Sequence, residues 1–167
     1  IINGILTKNK LNKYLLKPGT YNVTFHLSKI LTSMHSLFSN CTNLVKIDLS
    51  ELKSEQNINT SEMFYNCESL QEINFKNFKI NNVRSMSKMF SGCISLTSLD
   101  ISNFSTNNVT DFSDMFKECR LVKELNIEKF HTSSAIYMNN FFSKCSSLNS
   151  LNVFNFDTSN VVDMSGL

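Results

Sequence analysis

The cysteines of this chain are Cys41, Cys67, Cys93, Cys119 and Cys145, each 26 residues from the next. Chance does not produce four equal intervals. A fixed period of 20–50 residues marks a chain built from stacked copies of one small unit. The spacing extends to the neighbours of each cysteine. Phe38, Phe64, Phe90, Phe116 and Phe142 stand three residues before them, and Leu37, Met63, Met89, Met115 and Phe141 stand four before. Leu44, Leu70, Leu96, Val122 and Leu148 follow three after, and Ile47, Ile73, Leu99, Leu125 and Leu151 six after. Leu49, Phe75, Ile101, Ile127 and Val153 come eight after, and Leu52, Phe78, Phe104, Phe130 and Phe156 eleven after. Two weaker columns follow, Val83/Val109/Ala135/Val161 and Met86/Phe112/Met138/Met164. A single 26-residue unit cannot bury such a stripe by itself. Stacked units convert each position into a continuous apolar column.

Two periodicities share each unit. Met86, Met89, Phe90 and Cys93 follow i, i+3, i+4, i+7, which predicts a short helix, with Asp111 as the N-cap of the next one. Leu99 and Ile101 alternate with Ser98, Asp100 and Ser102, which predicts a half-buried strand. The stretch "SNFSTNNVTD" reads as a polar return whose Asn, Ser and Thr side chains bond the local backbone. The expected fold is an α/β repeat: a leucine-rich-repeat-type solenoid with short parallel β-strands and short helices, one coil per 26 residues. One Pro and four Gly are too few for a turn-punctuated sandwich or barrel of 167 residues.

The ends depart from the pattern. Residues 1–20 read as an N-terminal cap or the end of a preceding segment, with Leu11, Tyr14 and Leu15 on one side of a helix. Lys17-Pro18-Gly19-Thr20 stops that helix, and Tyr21, Val23 and Phe25 form the first strand of a solenoid over 21–167. The first full unit is the least regular, with Leu52 in the Phe column and Asn57 in the Val column. Leu167 stands where the next Met-Phe pair is due. The sequence therefore reads as part of a longer chain, and a signal peptide or anchor would lie outside it.

The segment from Leu96 to Phe104 reads L-x-x-L-x-I-x-x-F, close to a leucine-rich repeat core with Phe104 in place of the usual Asn or Cys. The fuller pattern, "MFSGCISLTSLDISNFSTNNVTDFSDMF", resembles the BspA-like leucine-rich repeat surface proteins. Phe154–Met164 ("FNFDTSNVVDM") keeps most of the second half of their repeat, and the likeness spans about residues 27–167. The resemblance implies a non-enzymatic module on the cell surface or secreted, binding extracellular matrix, host or cell-surface proteins. It carries over no catalytic residue. An intracellular scaffold, or repeats that target an enzyme domain outside this sequence, are the alternatives.

Charge and chemistry narrow the field further. The net charge is +2, and Lys8, Lys10, Lys13 and Lys17 crowd the first twenty residues without an acid. That segment reads as a solvated face; no nucleic-acid partner is expected. No stretch reaches the roughly 20 apolar residues of a membrane span. The cysteines are expected as a buried column of free thiols. A disulfide needs Cβ atoms about 3.8 Å apart, closer than the spacing of adjacent coils. They lack the clustered spacing of a zinc site, and the seven Met residues follow the core period, so no metal or cofactor is expected. His26, His35 and His131 fall in unrelated positions, with none expected beside a Ser or Cys as a general base. Asn-x-Ser/Thr triplets at Asn22, Asn40, Asn59, Asn103 and Asn108 are glycosylation acceptors only in a suitable secretory host.

The outward strand face is the candidate binding surface. Its side chains are Lys46, Asp48, Ser50; Glu72, Asn74, Lys76; Ser98, Asp100, Ser102; Glu124, Asn126, Glu128; and Ser150, Asn152, Phe154. Five acids face two lysines on a chain of positive net charge. Phe154 is the one aromatic among them. It is read either as a binding anchor or as packing against a following unit.

Overall fold

A computed structural model describes residues 33–52 and 59–167, together with the backbone of 2–4 and 23–25. The chain divides into two compact units, Ile1–Ile30 and Leu31–Leu167. In the first, β1 (Ile2–Gly4) pairs in parallel with β2 (Val23–Phe25), in the register Ile2↔Val23 and Gly4↔Phe25. The sequence reading anticipated the second of these strands and not the first. The expected helix through Leu11, Tyr14 and Leu15, its stop at Lys17–Thr20, the four N-terminal lysines, Asn22, His26 and Asn57 lie outside the described residues.

In Leu31–Leu167 the 26-residue period is a distance in space. Strand β3 (Lys46–Asp48) pairs in parallel with β4 (Glu72–Asn74), with Ile47 opposite Ile73. Single parallel bridges continue the pattern: Leu99↔Leu125, Glu124↔Ser150, Ser85↔Asp111, Asp111↔Tyr137 and Tyr137↔Asp163. Every one of these pairs joins residues 26 apart. The strand segments are short because only the Leu-x-Ile core of each unit alternates cleanly. Leu99 and Ile101 are buried, whereas Ser98 and Asp100 are exposed.

The Met-Phe-x-x-Cys segments are turns, not the expected short helices, and no helix occurs among the described residues. Their backbone bonds alternate in direction. The N–H groups of Glu62, Phe64 and Asn66 donate to the carbonyls of Ser87, Met89 and Ser91 in the next unit, at 2.8–2.9 Å. The N–H groups between them, on Met63, Tyr65 and Cys67, donate three residues back within the unit, to Thr60, Glu62 and Phe64. An α-helix would turn every N–H along its own axis. Here every second one joins the neighbouring unit, so the segment serves as a rung of the stack.

That geometry demands left-handed backbone at two positions per unit. Ser36, Glu62, Lys88, Asp114 and Asn140 occupy the first, and Asn40, Asn66, Gly92, Glu118 and Lys144 the second. The non-glycine members have φ between 53° and 63°. Left-handed backbone costs an L-residue about 1–2 kcal/mol, a cost offset at every one of these positions except Lys144 by the bond its N–H makes to the next unit. The i, i+3, i+4, i+7 spacing still identifies the buried face, since Met86, Met89, Phe90 and Cys93 are all fully buried.

The columns fill the interior. Phe38, Phe64, Phe90, Phe116 and Phe142 stack ring on ring, with centroids 5.3, 5.8, 5.6 and 5.9 Å apart and planes within 12°. Phe75 meets Phe64 and Phe90 edge-on at 6.2 Å. Such pairs contribute about 0.5–1.5 kcal/mol each beyond area burial. Burial falls away at the last unit, where Val153, Met164 and Leu167 are exposed.

Candidate functional site

The exposed strand face is built by the parallel register. Lys46 lies beside Glu72 and Asp48 beside Asn74. The Lys46 ammonium pairs with Glu72 at 2.7 Å, and the Asn74 amide donates to Asp48 at 3.0 Å. Farther along, the Asn152 amide donates to Glu128 at 3.2 Å. Glu72, Lys76, Asp100, Glu124, Asn126, Glu128, Asn152 and Phe154 are exposed, whereas Asn74 and Ser102 are half-buried. Phe154 is 91% exposed.

A local device holds this face open. The middle residue of each row accepts a hydrogen bond from the backbone N–H two residues on: Asp48 from Ser50, Asn74 from Lys76, Asp100 from Ser102, Asn126 from Glu128 and Asn152 from Phe154, at 2.8–3.4 Å. These Asx turns bend the chain out of the strand. They also tune charge. The hydroxyl and N–H of Ser50 hold the Asp48 carboxyl below its usual value, helped by Asn74. Ser102 does the same for Asp100. Asp111 makes the same turn with Ser113, at 2.9 Å, in place of the expected helix N-cap.

All five cysteines are free thiols. Their role exceeds that of small hydrophobes. The thiols of Cys67, Cys93, Cys119 and Cys145 donate to the carbonyls of Phe38, Phe64, Phe90 and Phe116 in the preceding unit, at 3.0–3.3 Å. Each of those carbonyls also accepts the N–H of the cysteine in its own unit. Burial pushes Cys67 up to about 12 and Cys145 up to about 11, and holds Cys93 and Cys119 well above the ordinary thiol value. Thiols held in the neutral form are poor nucleophiles.

His35 differs from expectation, because the repeat sets it against a serine. Its ring Nδ1–H reaches the Ser61 carbonyl at 3.0 Å and the Ser61 hydroxyl at 2.9 Å, while Nε2 lies 3.3 Å from the Ser36 hydroxyl. The Ser36 hydroxyl donates to Glu62 at 3.0 Å. Backbone N–H groups are common donors to a developing oxyanion. The N–H groups of His35, Ser36 and Leu37 are already taken by Ser33, Ser61 and Met34. The cluster is a polar clasp between the first two units.

The buried threonines carried no signal in the core period. The Thr106 hydroxyl accepts the His131 N–H at 2.8 Å and donates to the His131 carbonyl at 3.1 Å. Thr132 repeats this with Asp157, at 2.7 and 2.9 Å. The polar return thus bonds the next unit as well as itself. Among the acceptor triplets, the Asn103 amide is held by the carbonyls of Phe75 and Phe78, and the Asn108 amide by Asn82. The Asn40 amide donates to Ser39, while the Asn59 carbonyl oxygen accepts from Ser61.

The family model described as Mycoplasma protein of unknown function, DUF285, matches residues 32–126 and again 95–167. The chain belongs to the DUF285 family. The two matches run through the same 26-residue pattern and make this a repeat domain. No curated protein and no solved structure matches it. Among the described residues of this DUF285 domain, no group of three or more His, Cys, Asp and Glu side chains is arranged to hold a metal. No helix there is long and apolar enough to cross a membrane.

Proposed function

We propose that residues 31–167 form a leucine-rich-repeat-type solenoid of the BspA-like kind. In this reading it is a non-enzymatic protein-binding module, working on the cell surface or secreted, that engages a matrix, host or cell-surface protein through its strand face. The observation that carries the reading is the repeated row of outward side chains. The same three positions recur unit after unit, most of them exposed, aligned by parallel pairing and held by Asx turns. An extended, regularly spaced surface is what repeat domains use to grip another protein. Acids predominate on this one, which favours a partner with a basic surface, and Phe154 supplies an aromatic anchor at one end. An intracellular scaffold would use the same face. Repeats that direct an attached enzyme domain would use it too.

The test is binding of the purified protein to a panel of matrix and host-surface proteins. Its control is the triple variant Glu72→Arg, Glu124→Arg, Glu128→Arg, which changes exposed positions and leaves the Asx-turn acceptors in place. Saturable binding by the native protein, lost in the folded variant, supports the reading. Binding that survives the triple variant moves the site off the strand face. No binding by well-folded protein favours the scaffold.

A further inference from the structure

A second surface lies outside the strand face, on the polar return of the central units. There Asn82, Arg84, Asn108, Thr110 and Ser134 line an open groove of about 430 Å3. The period builds it: Asn82, Asn108 and Ser134 share one column, and Arg84 and Thr110 share the next. Val83 and Val109, between the columns, are fully buried. The lining contains no acid, and among the described residues the Arg84 guanidinium makes no ion pair or hydrogen bond.

We propose that this groove binds an acidic saccharide, with Arg84 taking its carboxylate or sulfate and the amide column taking its hydroxyls. The chemistry of the column carries the choice. The Asn108 amide donates to the Asn82 carbonyl at 3.2 Å, which leaves each amide with further donor or acceptor capacity toward the groove. A sugar hydroxyl both donates and accepts, so it matches an amide that offers both. A planar guanidinium with five donors and no protein acceptor suits a carboxylate or sulfate bidentately. A docked peptide would instead call for an apolar pocket, an unpaired strand edge or, for an acidic peptide, a cluster of Arg side chains, whereas Arg84 is the one cation among the lining residues. The groove offers amides and hydroxyls, and the Thr110 and Ser134 hydroxyls already donate to the carbonyls of Arg84 and Asn107.

The test is an array of oligosaccharides in matched pairs, uronate- or sulfate-bearing against neutral, with a glutamate-rich peptide as the anionic control. Native protein, Arg84→Gln and Asn108→Ala are compared, with far-UV circular dichroism confirming the fold. Binding confined to the acidic members is expected, about tenfold or more weaker in Arg84→Gln, and weaker for every acidic member in Asn108→Ala. Arg84→Gln should leave protein binding through the strand face unchanged, so the two readings fail separately. No acidic oligosaccharide bound, equal binding by Arg84→Gln, or equal capture of the peptide would overturn the proposal.

Discussion

Phe90 is the position where stacking can be measured most cleanly. Its ring is fully buried, lies nearly parallel to Phe64 and Phe116, and meets Phe75 edge-on. Phe90→Leu keeps an apolar side chain but removes three ring–ring contacts, which amounts to about 1.5–4.5 kcal/mol. Phe90→Ala adds a cavity and should cost about 3–5 kcal/mol. The stronger experiment is a double-mutant cycle with Phe116→Leu. If the rings at 5.6 Å interact as a stack, the two changes should couple by about 0.5–1.5 kcal/mol. A control cycle pairs Phe90→Leu with Phe130→Leu, whose ring neighbour is Phe112. That pair should add within about 0.5 kcal/mol. Urea unfolding followed by far-UV circular dichroism gives the free energies, with the slope checked for constancy across the variants. Equal coupling in the two cycles would refute the column as a source of stability.

Four further outcomes follow from the contacts between units. Thr106→Val, though nearly isosteric and more apolar, should cost about 1–3 kcal/mol in urea unfolding, because it strands the N–H and carbonyl of His131; a neutral or stabilising result would contradict this. The buried thiols of Cys67, Cys93 and Cys119 should react slowly with a thiol reagent, the half-buried Cys41 and Cys145 faster, and all five should be released on denaturation; fast native labelling of the three buried thiols would contradict this. Because burial raises their folded-state values above the ordinary 9.0, the stability they contribute is complete below about pH 9. It should fall as pH rises toward 12, and a flat alkaline profile would contradict it. Gly92→Ala should destabilise by about 1 kcal/mol, since Gly92 has φ +78° and a Cβ there would press on the side-chain Oδ1 of Asn66, which must rotate away.

The columns were legible in the sequence because a packing requirement repeated five times leaves the same residue type at the same place. Phe64, Phe90 and Phe116 needed nothing but counting. The turn conformation was not legible from the same residues. Four apolar side chains at i, i+3, i+4, i+7 fix a face, and a left-handed residue every few positions can present that face as well as a helix can. The available hint was Asn40, Asn66 and Gly92 in one column, residue types that tolerate positive φ. The thiol donors were hidden because a buried Cys reads as a hydrophobe until its neighbour's carbonyl is placed. His35 could have been set against Ser61 by the period alone, since 26 residues separate them. Thr106 could not, because its partner is the His131 backbone. The strand face was legible as alternation. The groove at Arg84 was not, since it depends on which side chains remain unpaired after folding.

The claim on which the rest depends is that residues 26 apart in sequence are neighbours in space. A nuclear Overhauser experiment on protein with protonated Phe rings in a deuterated background tests it directly. Ring-to-ring contacts are expected between Phe64 and Phe90 and between Phe90 and Phe116, where the centroids lie 5.8 and 5.6 Å apart, and none between Phe64 and Phe116. Loss of those contacts, or a direct contact between Phe64 and Phe116, would contradict the stacked arrangement, and with it the strand face and the groove.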